Sequence, residues 1–179
     1  MTEAMSLSQF LSAAPVSGAS GTAARSTGDG SRSGASPVLG VLPVSAAEFS
    51  GVRSQLPDSY IARELRARKM RTVAEVFDEF AAAFQFPYYF GQNKDAFDEC
   101  LRDLDEFVGP AQGYVVVVRN AALLLTDQPA EREWFAEAMT DAAATWSAKG
   151  VALRVVLQDA VPGGIDAVPL TWSETSARD

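Results

Sequence analysis

The chain contains no histidine and a single cysteine, Cys100, among its 179 residues. Without histidine there is no Ser-His or Cys-His nucleophilic machinery, no histidine metal site and no imidazole switch near neutral pH. One cysteine forms neither an intramolecular disulfide nor a thiolate zinc cage, which suits a reducing compartment. Basic residues are scarce too: 15 Lys and Arg stand against 23 Asp and Glu, for a net charge of -8. That balance argues against nucleic acid or an anionic membrane surface as the main ligand, and for a basic protein. No segment approaches the roughly 20 uninterrupted apolar residues that span a bilayer. The first residues carry Glu3, no basic residue before Arg25 and no long apolar core, so they do not read as a secretory signal. A cytoplasmic protein is expected, without cofactor, without bound metal and monomeric when free.

With 47% hydrophobic and 21% charged residues, the chain has material for one globular domain with flexible ends. Residues 1–37 read as a disordered tail, because Ala13 to Pro37 is mostly Ser, Gly, Ala and Thr and buries too little apolar surface to offset its chain entropy. Residues 38–58 form a lead-in that the pattern does not assign, 59–158 form the domain, and 159–179 form a flexible C-terminal tail.

Within the domain, Tyr60 to Leu65 suits a strand. Thr72, with Glu75 three residues on, has the form of a capping box before Val73, Val76, Phe77, Phe80 and Phe84 at helical spacing, and Pro87 ends that helix. A second helix runs from about Lys94 to Leu104. Tyr114 to Val118 is a continuous β-branched run suited to a strand covered on both faces. Pro129 opens a long helix with Trp134, Phe135, Ala138, Met139, Ala142 and Trp146 on its apolar side; Gly150 ends it and Val151 to Leu157 gives a third strand. The order β-α-α-β-α-β implies an α/β fold: a small three-stranded parallel sheet covered by helices.

The junction between the first two helices carries the chemistry. With Asn93 as cap, Ala96, Phe97, Cys100, Leu101 and Leu104 share one side of the helix, and Asp95, Asp98 and Glu99 share the other. Asp95 and Glu99, four apart, repel by about 0.2–0.5 kcal/mol in an isolated helix, a penalty that a cationic partner reverses. Three acids on a helix are ordinarily a solvated face, but Tyr88, Tyr89 and Phe90 beside them resemble the centre of a protein interface. Gly91 suits an unusual backbone angle and also close approach of a partner to the main chain, and both can hold. Arg102, four residues after Asp98 and three after Glu99, is placed to neutralise them from within. Cys100 reads as a small buried residue rather than a nucleophile. Glycosidases also use paired carboxylates, but theirs face each other across a cleft, whereas these lie on one convex helix. There is no Asp-x-Asp-x-Asp-Gly calcium loop, no Walker loop and no dinucleotide-binding glycine pattern. A carboxylate enzyme or divalent-metal binder remains an alternative, as does a protein-binding module without inhibitory activity.

The run Phe86, Pro87, Tyr89, Phe90, Gly91, Asn93, Asp95, Ala96, Glu99, Cys100 and Leu101 resembles the signature of the barstar family of intracellular ribonuclease inhibitors. The likeness extends more loosely from about Tyr60 to Leu157. It implies a barstar-like fold and no catalytic activity. It further implies that the acidic helix and its preceding loop cover the cationic active site of a basic secreted ribonuclease or nuclease toxin. Its contacts would fall on Tyr89, Gly91, Asn93, Asp95, Asp98 and Glu99. The chain departs from the family pattern where Glu99 stands for the dominant aspartate, Asp98 for an aromatic and Ala144 for another acid; Arg102 and Asp103 close the acidic helix.

Overall fold

The structure is a computed structural model describing residues 4–12 and 36–172. Of the two expected tails, 1–37 and 159–179, residues 1–3, 13–35 and 173–179 lie outside the described residues.

The organising element is a strand at Gly113–Arg119, here β4, which is preceded in the chain by strands β1 (Met5–Ser6), β2 (Leu39–Leu42) and β3 (Tyr60–Arg66) and followed by β5 (Ala152–Gln158) and β6 (Val168–Thr171). All are parallel, in the order β1-β6-β2-β5-β4-β3. Parallel pairs need crossovers, and five helices supply most of them: α2 (Ala46–Phe49), α3 (Val73–Phe84), α4 (Lys94–Arg102), α5 (Leu104–Val108) and α6 (Arg132–Ala148); α1 (Leu7–Ser12) follows β1.

Six strands replace the three expected. The three from the valine- and leucine-rich runs are present at β3, β4 and β5, but β2 arises in the unassigned lead-in, β6 in the C-terminal stretch read as tail, and β1 with α1 in the N-terminal one. These added strands hold only two to four residues each, too short to show a period of two, and their burial depends on neighbours distant in sequence.

Alternation along the strands builds two cores. Tyr114, Val116 and Val118 of β4, with Leu153, Val155 and Leu157 of β5, pack against α3, α4 and α6. Val115, Val117 and Val156 face the other way, onto Leu7, Phe10 and Leu11 of α1, Phe49 of α2 and Val52. The expectation of a strand covered on both faces holds, with a different second cover: short N-terminal elements. Gly113 belongs to this arrangement, since a Cβ there would lie 2.5 Å from the Tyr60 ring, which crosses it on the paired strand.

On the first face the local signals act as read. Thr72 and Glu75 form the capping box of α3. That helix ends at Phe84, with Gln85 in the left-handed region (φ 57°) and the Phe86 N–H bonded to the Ala81 carbonyl, two residues before Pro87 is reached. α6 begins after a 3-10 turn at Pro129–Glu131 and buries Phe135, Ala138, Met139, Ala142, Ala143 and Trp146, while Trp134 is only partly covered. The acidic helix is broken at Asp103 into α4 and α5.

One bond fixes α4 against α6: the Trp146 Nε1–H donates to the Leu101 carbonyl at 2.8 Å, in the core, with the Tyr114 ring 5.0 Å from the indole. Trp146→Phe should lower the unfolding free energy in urea by about 2 kcal/mol, through the orphaned carbonyl and the smaller ring. A change below about 0.5 kcal/mol would show that this tie is not a determinant of the packing.

Candidate binding surface on the acidic helix

Asn93 starts α4 in extended backbone, and its Oδ1 accepts the Ala96 N–H at 2.9 Å. Phe97, Cys100 and Leu101 then turn inward, Phe97 contacting Phe77, Phe80, Phe86 and Trp134. This burial fixes the rotation of α4 and so decides which residues face out. Asp95 and Glu99 are exposed. Asp95 sits in the first turn, where unpaired backbone N–H groups favour a negative charge.

The preceding loop is anchored by one ring and presents two. The Phe90 N–H closes a turn onto the Pro87 carbonyl at 2.9 Å, and the Phe90 ring packs edge-on against Phe77 and Phe86. Tyr88 and Tyr89, at the tip of that turn, are 101% and 73% exposed and stacked edge to face at 5.5 Å. Gln92 (φ 46°) ties the loop to α3 through Asp78 at 3.2 Å. Gly91 is outside the left-handed region, so the backbone-angle reading fails. A Cβ there would stand 3.1 Å from Asn93 Nδ2, which donates to the Gly91 carbonyl at 3.3 Å. Asn93 is thus spent on the loop and the cap, and it places Asp95 rather than offering a free amide.

Asp98 departs from expectation. It is half-buried, turned toward α6, and lines a cleft of about 120 Å³ with Arg102, Ala138, Asp141, Ala142 and Thr145. Its Oδ1 is shielded from solvent and has no hydrogen-bond partner among the described residues. Burial raises its carboxyl above the ordinary range, Arg102 draws it back, and Asp141 and Asp95 push it further up. The helix's own sequence shows only that Asp98 opposes Phe97; that α6 stands beside it is a tertiary fact. Asp141 lies three residues before the exposed Ala144, a spacing that places both on one side of α6, and no pattern within α4 points to it. Tyr88, which the family resemblance does not include among the contacts, is the most exposed ring of the turn.

Internal neutralisation by Arg102 does not occur as an ion pair: its Nε donates to the Asp98 backbone carbonyl at 3.1 Å. Ion pairs among the described residues join Arg66 to Glu79, Arg71 to Asp127, Lys94 to Glu131 and Arg119 to Glu64, and include none of Asp95, Asp98 and Glu99. Lys94, the cation nearest in sequence, is held by Glu131 at 2.6 Å and lies 4.9 Å from the Trp134 ring centre. Cys100 is buried, and burial, with Asp103 and Glu99 beside it, pushes its thiol up, as suits a packing residue. No group of three or more His, Cys, Asp or Glu placed to hold a metal ion occurs among the described residues.

A raised folded-state pKa at Asp98 means that the folded protein holds this proton more tightly than the unfolded chain. The associated stability is complete below the ordinary carboxyl pKa and is lost as pH rises through the folded value. Asp98→Asn should therefore raise the thermal midpoint at pH 7, by an amount worth a few tenths to about 1 kcal/mol given solvent screening, and the gain should shrink below about pH 4. An equal gain at both pH values would show that the charge is not its source.

No curated protein matches the chain. A family model described as Barstar (barnase inhibitor) matches residues 60–158, from the start of β3 to the end of β5. That span is more than half of the sequence and contains the aromatic turn, α4 and α6. The chain belongs to the barstar family.

Proposed function

We propose that the protein is a barstar-like inhibitor of a basic ribonuclease or nuclease toxin of the barnase type, acting by occlusion and without chemistry of its own. The observation that carries this reading is the exposed pair Asp95 and Glu99, without an ion-pair partner among the described residues and next to two outward tyrosine rings. Carboxylates and aromatics on one rigid helix-and-turn surface fit a cleft whose cations otherwise hold RNA phosphate. Tyr89 and Gly91 would offer a ring and a close backbone approach, Asn93 would hold the register, and Asp95 and Glu99 would meet the nuclease's cations. Asp98 and Asp141 would extend the negative surface into the cleft between α4 and α6, where the family pattern has an aromatic and, near Ala144, an acid. These differences shift the fit toward a nuclease with a cationic side chain opposite that cleft. The site of action would be the interior of the producing cell, whose own RNA the inhibitor protects.

Titration against a panel of barnase-type ribonucleases, with RNA hydrolysis as readout, should give saturating inhibition of at least one. Asp95→Ala with Glu99→Ala should weaken it at least about 100-fold, since hydrogen bonds to charged groups contribute about 1.5–3 kcal/mol each. Salt at about 0.5 M should slow association far more than dissociation. Inhibition that is indifferent to the double substitution, or absent across the panel, would contradict the proposal and leave a non-inhibitory binding module.

A further inference from the structure

The second face of the sheet carries an arrangement that the family match does not cover. Within residues 60–158, Ala62, Val115, Val117 and Val156 turn toward this face, and the cover over them comes largely from residues before 60 and after 158. Part of that cover is the segment 4–12, which the chain joins to the rest only through residues 13–35. The segment enters as strand β1, parallel to β6 with Met5 opposite Leu170, and continues as α1. Its Leu7, Phe10 and Leu11 occupy positions i, i+3 and i+4 and are 0–1% exposed. A helix of six residues has no stability of its own in water, so the groove holds it in shape.

The groove meets the segment with specific polar contacts as well as apolar ones. The Tyr60 hydroxyl donates to the Leu11 carbonyl at 2.9 Å, and the buried Arg154 donates from Nε to the Phe10 carbonyl at 3.2 Å, its guanidinium 6.0 Å from the Phe10 ring centre. Both groups belong to the family-matched region, while the carbonyls they bind belong to the segment. Strand addition followed by an i, i+3, i+4 helix in an apolar groove is how domains bind peptides in trans. The connecting residues 13–35 are mainly Ser, Gly, Ala and Thr.

We propose that residues 4–12 act as a peptide ligand held in cis, and that the groove formed by β6, Tyr60, Arg154 and the second sheet face binds this same segment in trans when a second copy of the chain supplies it. The groove lies across the sheet from α4, so the proposal stands independently of nuclease binding. A site-specific protease sequence inserted between Ser20 and Gly21 allows the folded full chain to be cut and then mixed with a labelled synthetic peptide of residues 1–20. Fluorescence anisotropy should show saturable binding to the cut protein and at least tenfold weaker binding to the uncut one, whose own segment competes at high effective concentration. Unlabelled peptide should compete, and its Phe10→Ala form should compete roughly tenfold less well or worse. Circular dichroism should show the domain folded throughout. If the cut protein keeps its own fragment against excess label, if label fails to bind, or if loss of the fragment unfolds the domain, the segment is ordinary core and the proposal is overturned.

Discussion

Tyr114 to Val118 of β4 are at most 1% exposed, on both faces of a sheet whose members all run the same way. A strand in that position can satisfy its backbone only through neighbours on both sides, and its side chains only through a layer above and a layer below. The rest of the molecule answers these demands. β3 and β5 supply the ladders, α3, α4 and α6 cover one face, and α1, α2 and Val52 cover the other. The acidic surface is a consequence of the first layer. Phe97, Cys100 and Leu101 fill the space above β4 and the Trp146 indole holds the Leu101 carbonyl, and together these set the rotation of α4. Asp95 and Glu99 face outward as a result of core packing.

The same rigidity explains why the carboxylates are available. An exposed ion pair contributes about 1 kcal/mol or less, so a mobile acid readily trades partners. Here the nearby cations are engaged by geometry: Lys94 by Glu131 and the Trp134 ring, Arg102 by the Asp98 carbonyl. Arg102 still draws on the Asp98 charge from a distance, but neither cation forms an ion pair with Asp95 or Glu99. Asp98 differs from both, held in a cleft that leaves one of its oxygens without a partner among the described residues. Such a group weakens the isolated protein and gains most from a cation that reaches it.

Legibility of the sequence followed the range of the interactions. The Thr72 box, the Asn93 cap, the burial of Cys100 and the valine run of β4 were readable because each depends on residues a few positions apart. β2 and β6 were missed because four residues carry no usable period, and what buries them is each other and β5. β1 and α1 were missed because a run such as Leu7-Ser8-Gln9-Phe10-Leu11 looks like tail until Tyr60 and Arg154 are seen to meet it. In the site, Asp95 and Glu99 followed from helical periodicity alone. The inward lean of Asp98 and the presence of Asp141 in the same cleft depend on the position of α6, which no local pattern encodes. At Gly91 the expected unusual φ is absent; the missing side chain instead makes room for Asn93 Nδ2, a contact inside the chain that no local pattern encodes.

The account stands on α4 and the aromatic turn being the surface that a nuclease covers. Amide hydrogen exchange of the free protein and of its complex with an inhibited barnase-type ribonuclease reads that surface directly. The account predicts slowed exchange concentrated between Tyr88 and Glu99, with the second sheet face unchanged. Protection confined to that second face, with residues 88–99 exchanging as in the free protein, would contradict it.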